Sequence, residues 1–145
     1  MAIPIIINIR EGDEGALQYH YKRLVLTSAQ ILTSFATPIE IVETPGVGKI
    51  LAPILLIAKT NYGTITYATN TTMTLRWDSV TATLDNISLA RTEDYIEIEN
   101  EYGGGLASAE GNVANQNLTL KTATGNPTAG DGTMTIYLWY IILTL

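Results

Sequence analysis

The sequence has no cysteine, one histidine and one phenylalanine, and only 15% of its 145 residues are charged. Without cysteine there can be no disulfide, thiolate metal site or thiol nucleophile, and the redox compartment stays open. With a single His20, one chain cannot assemble a nitrogen-rich metal site. A Ser–His–Asp triad would hang on that one residue, and no Gly-x-Ser-x-Gly elbow accompanies it. His20 lies in Tyr19-His20-Tyr21 and reads as an exposed strand residue. No catalytic residue, metal ligand or cofactor is expected, and the chain reads as a non-enzyme.

Positive charge is also scarce. Eight Lys and Arg stand against fourteen Asp and Glu, a net charge of −6. Nucleic-acid binding needs a basic footprint that displaces counterions, so it is not expected. Docking on an anionic membrane surface is disfavoured for the same reason. No apolar run approaches the roughly 18 residues of a membrane-spanning helix. The opening apolar run has no basic residue ahead of it and an acidic stretch behind, the reverse of a signal peptide.

A helical hydrophobic stripe is missing too. The two best helical windows, 79–90 and 106–116, fail on β-branched content and on the absence of 3.6-residue periodicity. What the chain has in quantity is Thr, Ile, Val and Tyr, broken at short intervals by Gly, Asn, Asp and Pro. That is the composition of short strands joined by turns. Strands are expected over 17–26, 38–43, 49–59, 64–69, 73–77, 95–99, 117–121 and 133–145. A hairpin is expected around residues 69–72, a turn at Pro45-Gly46-Val47-Gly48, and a break or bulge at Pro53. The fold class is all-β: an antiparallel β-sandwich of eight or nine short strands, with the jelly roll as one candidate form. Residues 1–16 form an extended N-terminal arm and 17–145 a single sandwich domain.

The last strand poses the main problem. Met134, Ile136, Leu138, Tyr140 and Ile142 point one way, and Tyr137, Trp139, Ile141, Leu143 and Leu145 the other. A strand of a sandwich normally shows one face to the core and one to water. Each large apolar side chain left in water forfeits roughly 1.5–3 kcal/mol. Three covers are conceivable for the outward set: loops of the same chain, a second subunit, or a sugar stacked on Tyr137 and Trp139. Residues 49–59 show the same two-faced apolarity, and two such strands in one small domain favour the subunit interface. The expected interface residues are Tyr137, Trp139, Ile141, Leu143, Leu55 and Ile57. In the arm, Ile3, Ile5, Ile7 and Ile9 are candidates for docking, either on a partner's open sheet edge or on the same or a sister subunit.

Other constellations read as structure. In 93–101, alternation puts Glu97, Glu99 and Glu101 on one face, read as solvated, with Ile96 and Ile98 opposite. The loop 124–133, TGNPTAGDGT, has one carboxylate, too few for calcium. Asp131-Gly132 reads as a self-bonded turn that sets a hairpin. Tyr62, Tyr67, Trp77 and Tyr102 are the residues that could serve as carbohydrate platforms.

Several phrases resemble a group of small virion structural proteins of tailed bacteriophages: LTSAQIL (26–32), TPIEIVETPGVGKIL (37–51), NYGTITYAT (61–69) and NPTAGDGTMTIYLWYIILTL (126–145). The resemblance spans most of 24–145, is weakest between Asp85 and Asn115, and leaves out residues 1–15. It implies a β-sandwich component of the virion surface: a capsid decoration (cement) protein, a head fibre or a tail-associated protein. The expected partners are copies of itself, as a homo-oligomer and most simply a trimer, and the major capsid protein or another virion protein. A receptor-binding module or a head–tail connector component is the alternative. The family pattern carries a charged residue within the final strand. Here Trp139, Tyr140 and Ile141 are all apolar, which favours a covered outer face.

Overall fold

A computed structural model describes residues 18–78, 84–99 and 113–145. The arm, 1–16, lies outside the described residues, as do most of the window 106–116, Glu101 and Tyr102. Eight strands and one short helix follow in order: β1 Tyr19–Leu26, α1 Ser28–Thr33, β2 Ile39–Val42, β3 Lys49–Asn61, β4 Thr72–Trp77, β5 Asp85–Ser88, β6 Tyr95–Glu99, β7 Leu118–Thr122 and β8 Thr133–Thr144.

The strands form two four-stranded antiparallel sheets, ordered β1-β8-β3-β6 and β2-β7-β4-β5. First pairs with last, second with seventh, third with sixth and fourth with fifth. That nested pairing is the jelly roll. Every connection except β4–β5 passes from one sheet to the other, so apolar residues of both sheets meet in one core. Leu51, Leu56, Met134, Ile136 and Leu138 from the first sheet face Met73, Leu75, Ile87, Leu118 and Leu120 from the second, all fully buried. The Trp77 indole N–H donates to the carbonyl of Leu51 at 3.0 Å, tying β4 to β3 across that core.

The longest pairing joins β3 and β8, from Lys49 opposite Thr144 to Asn61 opposite Thr133. Its register shifts between Pro53 and Leu55, as expected from proline's missing N–H. The extra residue, Ile54, has a purpose. Leu51 and Leu56 are an odd number of residues apart, so in an unbroken strand they would face opposite ways. The bulge resets the phase, and both are fully buried.

Three expectations are corrected. The chain does contain a helix, α1, closed by a capping box. Thr27 N–H donates to the Gln30 side chain at 2.9 Å, and Thr27 Oγ1 accepts from Gln30 N–H at 3.3 Å. Residues 64–69 form no strand and no hairpin with β4. Thr69 and Asn70 adopt positive φ (49° and 46°), and the segment is a crossover between sheets with one isolated bridge, Ala68 to Ala129. The real partner of β4 in that role is β5, within the window set aside as poorly helical.

Neighbouring positions on β8 give the clearest check of the layering. Leu138→Ala empties a fully buried site and is expected to lower unfolding free energy by about 2–5 kcal/mol in a denaturant titration. An equal loss from Trp139→Ala in isolated subunits would contradict the assignment of the two faces.

Candidate functional site: the outer face of the first sheet

Residues directly opposite in an antiparallel pair share a face, so the registers define the outward rows of the β1-β8-β3-β6 sheet. One row runs Val25, Thr135, Lys59, Ile96. The next runs Arg23, Tyr137, Ile57, Ile98, and a third Tyr21, Trp139, Leu55. Beyond them Tyr19, Ile141 and Ala52 form a fourth. The face is therefore apolar across all four strands. Its margins are open: Tyr21 is 43% exposed, Val25 46%, Ile96 56% and Ile98 58%. Tyr137, Trp139, Leu55, Ile57 and Leu143 are half-buried, and Ile141 is nearly covered. The sequence-expected interface residues thus lie together on one surface, on the two adjacent strands β3 and β8.

Part of this cover comes from β1, which sequence reasoning did not assign to the face. The Tyr21 and Trp139 rings lie 4.9 Å apart and tilted by 45°, and the Arg23 guanidinium sits 5.9 Å from the centre of the Tyr137 ring. The outward rows contain two cations, Arg23 and Lys59, and among the described residues no carboxylate.

The acidic strand β6 is oriented opposite to expectation. Pairing of Glu97 with Ala58 turns Glu97 inward, and pairing of Ile98 with Ile57 turns Ile96 and Ile98 out. The physical reason lies at the sandwich edge. Glu97 accepts from Ser88 N–H of β5 and from Arg91, each at 3.2 Å, so its carboxylate links the two sheets. Arg91 in turn lies 3.7 Å over the Tyr95 ring. The alternation was legible, but its direction depended on a partner in the other sheet.

The remaining candidates resolve as structure. His20 is half-buried rather than exposed, stacked on Tyr140 with ring centres 5.1 Å apart. Burial, and then the charge of Glu43, raise the Tyr140 phenol above its ordinary range. Tyr67 and Trp77 are buried and cannot be carbohydrate platforms. No group of three His, Asp or Glu among the described residues could hold a metal ion.

The loop 124–133 is not a hairpin, because β7 and β8 lie in different sheets. Asp131 is bonded chiefly outside its own turn, with its own backbone N–H the least of its partners. Its carboxylate accepts from Thr64 N–H and Ile65 N–H at 2.8 Å and from the Thr64 hydroxyl at 2.7 Å. A side chain on Gly63 would run into that carboxylate, and one on Gly130 into the Tyr67 ring. The Tyr67 hydroxyl donates to the Gly132 carbonyl at 2.7 Å, and burial, with the Asp131 charge, pushes its pKa up to about 12. The Asn126 carboxamide oxygen accepts from Phe35 N–H at 2.9 Å, fastening the end of α1 to the same loop. Three loops at one end of the sandwich are thereby held together by side chains.

No protein-family model matches this chain, and no curated protein matches it. Among solved structures it is similar to a chain of the cyanophage Pam1 capsid asymmetric unit, at 16% identity over 94% of this chain and 91% of that one, with a TM-score of 0.47. It is also similar to a chain of the capsid of Ralstonia phage GP4, at 14% identity over 94% and 91%, with a TM-score of 0.37. At such identities and scores neither likeness bears on what this chain does.

The Asp131 clamp makes an acid-range prediction. Hydrogen bonds from Ile65 N–H, then the Thr64 side chain and backbone, hold its pKa below the ordinary carboxylate value. Its contribution is present above the unfolded-state pKa and is lost as pH falls through the lower folded value. Asp131→Asn is expected to lower the melting temperature near neutral pH and to narrow its gap to the parent in acid. A gap that widens on acidification would be contrary to this reading.

Proposed function

We propose that this chain is a non-enzymatic structural component of a tailed-phage virion. In this reading it is a homo-oligomeric decoration protein on the particle surface that ties neighbouring shell subunits together. The observation that carries the oligomer is the outer face of the first sheet. Tyr137, Trp139, Ile57 and Leu55 at its centre are ringed by exposed Tyr21, Val25, Ile96 and Ile98. A contiguous apolar surface of this kind marks an interaction site. The virion assignment rests on the sequence phrases at 26–32, 37–51, 61–69 and 126–145.

The charges on the face bear on symmetry. A two-fold contact of like faces brings together two surfaces of the same sign, each carrying Arg23 and Lys59. A heterologous contact that closes into a ring sets the face against a different surface and avoids this repulsion. A trimer is the smallest such ring. The tilted ring pair Tyr21 and Trp139 gives some support to the second reading, a receptor- or carbohydrate-binding module, since an accessible aromatic pair can hold a sugar ring.

Sedimentation of the purified protein at micromolar concentration is expected to show an oligomer. Ile98→Asp, at an exposed position that should leave the subunit folded, is expected to shift it toward monomer. A stable monomer for the parent protein defeats the oligomer reading. Glycan-array binding abolished by Trp139→Ala would transfer support to the second.

A further inference from the structure

We propose that the surface seated on this face is the N-terminal arm of a neighbouring copy, exchanged around the ring. The inference rests on the oligomer reading above and supplies the occupant. Three observations converge on the arm. The first is chemistry: residues 3–9 read IPIIINI, an uninterrupted apolar strip apart from Asn8, followed by Glu11, Asp13 and Glu14 with a single base, Arg10. The receiving face is the reverse in charge: its paired rows are apolar with Arg23 and Lys59 and hold no described carboxylate, and Asp94, just before β6, is engaged by Tyr62 N–H. The arm therefore matches the face in both polarity and sign, whereas a second copy of the face matches it in polarity alone.

The second is length. Four strands spaced by about 4.8 Å make a face about 14 Å across, and seven extended residues span about 23 Å. Residues 3–9 can thus cross the whole sheet. The nine steps from Ile9 to Gln18 add a reach of up to about 30 Å, enough to leave one subunit for the next. The third is position. The described chain begins at Gln18, beside β1, and β1 is an edge strand of this same sheet. The arm is therefore attached at the rim of the face rather than at its centre or on the opposite sheet. Glycines at 12 and 15 permit the change of direction there.

The absence of native cysteine makes a clean test by disulfide trapping in the full-length protein. Cysteine is placed in turn at Ile5, Ile6 and Ile7, covering both sides of an extended arm, and separately at Ile98 on the face. Mixing an arm variant with Ile98→Cys under oxidation is expected to give a two-chain species. The arm and face cysteines combined in one chain are expected to give linked chains rather than an internally closed monomer. Arg23→Glu with Lys59→Glu should sharply reduce trapping, and Glu11→Lys with Glu14→Lys should restore it. Deleting residues 1–9 should lower the oligomeric mass. Internal closure of the double variant would overturn the exchange in favour of a self-covering arm. An oligomer of unchanged mass after deletion, without trapping, would overturn the arm while leaving association through the face intact. A parent protein that is monomeric would instead remove the oligomer reading on which the inference rests.

Discussion

The pairing of β8 with β3 places two strands, each apolar on both sides, at the centre of one sheet. A strand in that position cannot turn both faces to the same core. Its inner residues are covered by the opposite sheet, and its outer residues must find cover elsewhere or remain an apolar surface. The inward set is satisfied by the sandwich: Leu56, Met134, Ile136 and Leu138 are fully buried. The outward set receives only partial cover from β1 and β6, whose own outward residues, Tyr21, Val25, Ile96 and Ile98, are exposed in turn. The edge strands widen the apolar surface instead of closing it.

Two devices keep that arrangement in register. The bulge at Pro53–Leu55 restores the phase of β3 midway along its length, so that both halves present their large aliphatic residues to the same layers. A slip of one residue would exchange the faces of the strand. At the sandwich edge, Glu97 bonds to Ser88 N–H and Arg91, fixing β6 with its isoleucines outward. A half-buried charge is retained where it has partners, and here the partners lie in or beside the other sheet. At the far end Asp131 and Asn126 hold three loops together through backbone N–H groups, which suits a framework that presents a surface rather than a site that opens.

Much of the secondary structure was legible. Seven of the eight expected strands stand close to their anticipated ranges, because alternation and turn residues are local properties. The helix α1 leaves little trace in the sequence, although Thr27 and Gln30 have the spacing of a capping box. It is too short to show a hydrophobic period, so the cap was the only available signal. The segment 64–69 looked like a strand because its composition is that of one. Positive φ at Thr69 and Asn70 and the anchorage of Thr64 and Ile65 on Asp131 divert it into a crossover. Asp131 itself could be recognised as a turn residue, but its ligands lie more than sixty residues away in the chain.

By itself, the sequence determined the class of fold, the two-sided apolarity of β3 and β8, and the break at Pro53. Each of these follows from period-two alternation or from the chemistry of one residue. Tertiary structure alone decided which way each strand faces, which strands pair and which loops meet. It enrolled β1 and β6 in the outer surface, and it turned Ile96 and Ile98 out and Glu97 in. The reason is that alternation defines two sides of a strand without naming them. Only a partner across the sheet or across the core distinguishes inside from outside.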